Sequence, residues 1–214
     1  MRFRAQLGLP TDAPIVMTGH QPIVFHPGVL AKYLAAHALA ASARAHTAWL
    51  VVDQDETDPG LLAIPARDAH GDLMKRESRL LPRPPEGVPA GVVPPAPPAP
   101  PSPPELQSEW AFVNDGLARI ASAFSAHAGA SSLAEQGALA AFDLMRPLGA
   151  TGLPVLATRL ARTDLFRDLA DAMRRDPLVF VEAYNRAVDA HPEARVAPLL
   201  YSISADRYEL PLWR

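Results

Sequence analysis

APIVMTGHQPIVFHPGVLAKY, residues 13–33, carries a short apolar run, a loop rich in Gly, His and Pro, and the start of a helix. Ile15, Val16 and Met17 have the length and character of a buried strand. Thr18-Gly19 is expected to end it, because glycine permits a sharp turn. The loop holds His20, Gln21 and His26, and Pro27-Gly28 then opens a helix expected to reach residue 43, with Leu30, Leu34, Ala38 and Ala41 on one face. In open α/β sheets, ligands gather at the carboxyl ends of parallel strands, where loops meet helix N-termini with free N–H groups and a partial positive charge. Thr18 and the amides around Gly19 and Gly28 are therefore candidates for holding an anionic group, with His20 and Gln21 reaching the ligand. The competing reading makes the loop a tight turn in which His20 satisfies backbone.

Outward from this unit, TAWLVVD (residues 47–53) is a continuous apolar run that suits a strand buried on both faces. Strand, helix and strand within about forty residues form a βαβ unit. An acidic loop occupies residues 53–60. Two strand-like segments around Asp68-Ala69-His70-Gly71 then suggest a hairpin. Residues 82–104 contain 12 of the 24 prolines. Proline fixes φ and lacks an N–H, so this stretch is expected to be an extended connector; a PxxP ligand for a partner domain is the alternative. Helices are expected at residues 105–128 and from Ser131 or Ser132 to Met145. A third buried strand is expected at 153–160. Thr163 and Asp176-Pro177 then read as helix starts, and strand-like pieces lie at 199–203 and 208–213.

The fold class expected is α/β: a Rossmann-like, nucleotidyltransferase-like parallel sheet with a helical insertion and a proline-rich connector. Its parts are residues 1–81 (first half of the core with a hairpin), 82–104 (linker), 105–150 (insertion) and 151–214 (second half). Residues 1–12 read as a polar lead-in, and the apolar finish as the edge of a longer protein.

The 214 residues are 49% hydrophobic with a mean hydropathy of +0.01, enough for a core. A net charge of −3 and pI near 6.1 give no basic footprint for nucleic acid. The absence of cysteine removes disulfides, thiolate metal sites and cysteine nucleophiles. MRFRAQLGLP lacks the apolar run of a signal peptide, and no stretch is apolar enough to span a bilayer, so a cytoplasmic protein is the default. A small anionic ligand is the expected partner, with self-association left open.

His26-Pro27-Gly28-Val29 resembles the HxGH pattern of nucleotidyltransferases and class I aminoacyl-tRNA synthetases, with Val29 in place of the second histidine. In that pattern the histidines stabilise charge on a transferring nucleotidyl phosphate. The resemblance implies catalytic roles for His26 and, from the loop, His20. TGHQPIVFHPGVLAKY followed by WLVVDQDETDPG resembles the start of the bacillithiol-synthesis cysteine-adding (BshC) family over about residues 15–60. That family has a TGQQ-type loop, a Gly-Pro helix start and an acidic loop after the second strand. Here His20 stands where it has Gln, and His26-Pro27 replaces a Gly-rich pair. HQPIVFHP is also similar to the HQPxYFP-like opening of the WbqC-like family. Both resemblances imply a nucleotidyltransferase-like α/β core with its site at this loop, and the cysteine-adding one implies a ligase or transferase.

Asp53-Gln54-Asp55 after an apolar strand is also a DxD, as in glycosyltransferases that hold Mn²⁺ or Mg²⁺ and a sugar nucleotide. A direct ligand contact by Asp53 or Asp55 is the alternative to the metal, and a noncatalytic nucleotide-binding module is the alternative to the enzyme. Arg159, with Arg162, comes just after the third strand and is a candidate to face the same cleft, with plain surface charge as the equal alternative. YSISADR (residues 201–207), with Ser204, resembles the Ser-rich second phosphate motif of nucleotidyltransferases; the competing reading, a strand ending in a turn, is the favoured one.

Overall fold

The computed structural model describes residues 2–24, 27–98 and 108–211. His26, half of the histidine pair expected at the loop, lies outside the described residues, as do residues 99–107, which include the end of the proline-rich stretch, and the two ends of the chain. The chain divides into two compact units, Met1–Leu160 and Ala161–Arg214.

The first unit is mixed α/β. Its elements are α1 (Arg2–Gln6), β1 (Ile15–His20), α2 (Pro27–Ser42), β2 (His46–Val51), β3 (Leu61–Arg67), β4 (Leu73–Arg79), α3 (Ala111–Ala126), α4 (Leu133–Met145), β5 (Leu153–Leu156) and α5 (Ala157–Leu160). Strands β1, β2 and β5 form one parallel sheet in the order β1-β2-β5, as the three apolar runs predict. Strands β3 and β4 form the expected antiparallel hairpin, with Leu62 opposite Ser78 and Ile64 opposite Arg76.

The central strand β2 explains its own composition. Trp49 and Val51 point to one face, where they pack with Tyr33 of α2, Ala138, Ala141 and Met145 of α4, and Leu156. Ala48 points to the other, with Val155, Leu7 and Leu9. Burial on both sides requires an uninterrupted apolar run. It also corrects the polar lead-in: Arg2–Gln6 is helical, and Leu7 and Leu9 are buried because they cover the sheet face opposite Trp49. Burial pushes the Tyr33 phenol far up from its ordinary pKa.

Two strand boundaries differ from expectation. β1 continues through Thr18 and Gly19 to His20. Gly19 sits opposite Leu50, and a Cβ there would lie 2.6 Å from the Leu50 carbonyl oxygen. The glycine serves close strand approach rather than a turn. β5 ends at Leu156, and the expected strand residues 157–160 are helical. The buried face of α2 also differs: Tyr33, Ala36 and Ala40 are buried, whereas Ala38 and Ala41 are exposed.

Helix α4 is buried on nearly every side, which its Ala- and Gly-rich sequence permits. Beyond the sheet it meets a second core formed by Leu62, Ile64, Leu80 and Leu81 around the hairpin, with Phe124 of α3 and Leu133 and Ala140 of its own. Gly137 fixes how closely α4 approaches the loops after β1 and β2. A Cβ on it would fall 2.4 Å from the Pro22 oxygen and 2.8 Å from Pro59 Cβ. Gly→Ala inside an exposed helix stabilises by about 1 kcal/mol. Here the sign is expected to reverse: Gly137→Ala should lower the urea midpoint, with a loss of about 1–3 kcal/mol from overpacking. A variant more stable than the parent would contradict this packing.

The second unit holds α6 (Asp164–Arg175), α7 (Pro177–Ala190) and a small hairpin of β6 (Tyr201–Ser202) and β7 (Arg207–Tyr208). Both expected caps are present. Thr163 Oγ1 accepts from the Phe166 amide, and the Asp176 carboxylate from the Val179 amide. Asn185 brackets Leu199, donating to its carbonyl at 3.0 Å and accepting from its amide at 2.8 Å. Among the described residues no helix is long and apolar enough to cross a membrane.

Candidate functional site

The parallel register sets three strand ends level. His20 lies beside Val51, and Val51 beside Leu156. The segments that leave the three strands therefore converge on one edge of the sheet: Gln21 after β1, residues 52–60 after β2, and Thr158-Arg159 after β5. The pleat places Thr18 and His20 on the face shared by Trp49 and Val51. The half-buried His20 ring has Nδ1 at 3.3 Å from the Gln21 carbonyl oxygen. Gln21 Nε2 donates to Asp55 Oδ2 across 3.4 Å, a long bond joining the loops of β1 and β2. The other Asp55 oxygen accepts from the Thr57 amide at 3.2 Å and from its hydroxyl, closing a turn within the acidic loop.

Odd-numbered carbonyls of β1 face away from β2, because the bonds to β2 use Pro14 and His20. Lys32 Nζ donates to one of these edge carbonyls, Gly19 O, at 2.5 Å. A cation thus stands beside the strand end, and Gly28 lies in the first turn of the same helix.

Asp53 and Asp55, alike in the sequence, have different roles. The Asp53 side chain is 0% exposed. Its Oδ1 accepts from the Thr158 amide at 2.9 Å and its Oδ2 from the Thr158 hydroxyl at 2.5 Å. The carboxylate therefore ties the end of β2 to the start of α5. Arg159 pairs with Glu135 at 3.1 Å. Glu135 is the fourth residue of a Ser132-x-x-Glu135 capping pattern on α4: its amide donates to Ser132 Oγ, and its carboxylate accepts from Ser131. The Ser131 hydroxyl, with its amide and Arg159, holds that carboxyl below the usual range.

Thr18, Gly19, His20, Gln21, Asp53, Asp55 and Arg159 thus occupy one edge of the first unit, and Gly28 the first turn of the helix after β1. Ser204 lies in the second unit, between β6 and β7, with its hydroxyl 3.3 Å from that of Ser202. Among the described residues no three His, Asp or Glu side chains gather as a metal ligand set. Sequence reasoning missed Thr158, Glu135 and the contacts of residues 87–96. Only Glu135 had a readable signal, its spacing from Ser132.

Two concavities with histidines in their lining lie elsewhere in the first unit. One of about 540 Å³ at the amino edge of the sheet is lined by His37, His46 and Thr151. Another of about 220 Å³ is lined by His127, Asp143 and Arg146. In the latter, Asp143 accepts from Arg146 and lies 2.7 Å from His127 Nε2, so its carboxylate is already partnered.

No protein-family model, no curated protein and no solved structure matches the chain.

Proposed function

We propose that the first unit is a Rossmann-like domain that binds a nucleotide or another small anionic metabolite where the TGHQP loop meets the start of α2, and that it serves a ligase or transferase reaction of the cysteine-adding type. The observation that carries the binding half is the level ending of β1, β2 and β5, with Gln21 and Asp55 joined across it. Open α/β sheets bind ligands at such an edge. The pieces suit an anion: the N-terminal amides of a 16-residue helix, the His20 imidazole and the nearby Lys32 ammonium. His20 would donate to a ligand oxygen, and the Asp55–Gln21 pair would orient the loop beneath it. The resemblance to cysteine-adding enzymes supplies the reaction class. Val29, where the HxGH pattern has its second histidine, favours a second reading: a module that binds a nucleotide without transferring its phosphate.

His20→Ala tests the site. Calorimetric titration with ATP should show affinity falling about tenfold, the loss of one bond to a charged group. The melting temperature should shift by no more than about 2 °C, since the half-buried ring adds little to the core. Gly28→Val should weaken ATP binding as well, by crowding the helix start. If instead His20→Ala melts much earlier while the folded fraction keeps its affinity, His20 is a structural residue and the proposal fails.

A further inference from the structure

The proline-rich stretch is built into the fold. Residues 87–96 are neither helix nor strand, as their prolines require, yet their backbone groups are extensively used. The Gly87 amide donates to Glu56 Oε2 at 3.0 Å. The Ala90 amide donates to the Asp55 carbonyl at 2.9 Å, and the Gly91 amide to the Asp53 carbonyl at 2.8 Å. The Ala90 and Val93 carbonyls accept from the Ala134 and Leu133 amides, the otherwise orphaned donors at the start of α4. Ala90 is fully buried. At Gly91 a Cβ would stand 2.8 Å from both the Asp53 carbonyl oxygen and Oδ2, so only glycine permits the contact.

The far end is held by one side chain. Gln136 of α4 is completely buried. Its Oε1 accepts from the Ala96 amide at 3.0 Å, and its Nε2 donates to the Ala96 carbonyl at 2.7 Å and to the Phe124 carbonyl at 3.0 Å. A buried primary amide in an apolar core is costly unless so completely satisfied. Alanine or leucine would serve the helix as well; glutamine serves the strap.

We propose that Gln136 is a positioning residue that latches the 87–96 strap across the acidic loop, and that the latched strap sets the geometry of the anion site. The inference rests on the ligand site proposed above. The chain of contacts is continuous. Gln136 holds Ala96; the strap holds the backbone of Asp53 and Asp55; Asp53 holds Thr158, next to Arg159; Asp55 holds Gln21. Loops from all three strand ends are thus tied to one strap, and strap docking and ligand binding at that edge should be coupled.

Amide hydrogen exchange on the full chain tests this with two variants. Gln136→Ala removes the latch, and Ala96→Pro replaces the N–H that Gln136 Oε1 accepts from with a ring carbon, leaving the sequence of α4 untouched. Both should speed exchange at Ala90, Gly91, Thr57 and Thr158 about tenfold or more, with the sheet amides of Trp49 and Val51 unchanged. Both should weaken ATP binding about tenfold. In the parent protein, ATP should slow exchange at Ala90 and Gly91, which a purely structural strap would not do. Faster exchange confined to the strap, with Thr57 and Thr158 unmoved and ATP affinity intact, overturns this inference alone. Failure of the parent to bind ATP or inorganic phosphate, with the exchange coupling present, overturns the anion-site reading and with it the ligand half of this one.

Discussion

Trp49→Ala is expected to lower the unfolding free energy by about 3–5 kcal/mol, the usual cost of deleting a large buried aromatic. The indole is 0% exposed. It lies between two rings, with centroids 4.6 Å from Tyr33 at 62° and 4.1 Å from Phe142 at 60°. Edge-on pairs of this kind add about 0.5–1.5 kcal/mol each beyond area burial. The cavity would open between α2, α4 and the central strand, the three elements that position the site edge. None can collapse into it without moving a strand end. Urea denaturation monitored by far-UV circular dichroism measures the loss. Phe112→Ala is the comparison, since Phe112 is 73% exposed and should change stability by no more than about 0.5 kcal/mol. Equal effects at the two positions would refute this layer arrangement.

Asp53→Ala is expected to cost about 3 kcal/mol. The carboxylate is wholly buried and receives two hydrogen bonds from Thr158. Bonds to a charged acceptor contribute about 1.5–3 kcal/mol, and truncation empties a wholly buried position packed under Gly91. Asp53→Asn should cost less, because its carbonyl oxygen can still accept from the Thr158 amide. A cycle with Thr158→Ala tests the cause: the double variant should be more stable than the sum of the single losses allows. The DxD metal reading expects another result. There Asp53→Ala would leave the melting temperature near that of the parent and abolish a Mn²⁺-dependent gain in sugar-nucleotide binding that EDTA also removes. A parent protein that shows such a gain, together with a stable Asp53→Ala variant, would reverse the assignment of Asp53 as a tie between strand ends.

The contrast between Asp53 and Asp55 shows how far the sequence reached. Two acids one residue apart after an apolar strand look equivalent in one dimension. In the fold, one is sealed beneath Gly91 and bonded to a residue 105 positions away, while the other is half-buried and touches Gln21. The proline-rich stretch is a similar case. Its composition excludes helix and central strand, and neither forms among its described residues. Whether such a chain floats or docks depends on partners it cannot display, here Gln136 and the first amides of α4.

Local chemistry was sufficient wherever it acts within a few residues. The apolar runs at 15–17 and 47–53 specified strands, as did the first half of the run at 153–160, whose second half is helical, and the helix between the first two required them to be parallel, since a crossover returns the chain to the same end of the sheet. Thr163 and Asp176 specified helix starts because a cap reaches only three residues ahead. Gly19, Gly91 and Gly137 were decided by the tertiary structure. Each glycine is needed for an atom that another segment brings close: Leu50 O, Asp53 O and Pro22 O. The burial of Leu7 and Leu9 was decided there too, by the sheet face they cover. Periodicity and capping report a residue's neighbours along the chain. Close approach and burial report its neighbours in space, and those exist only once the sheet, α4 and the strap have come together.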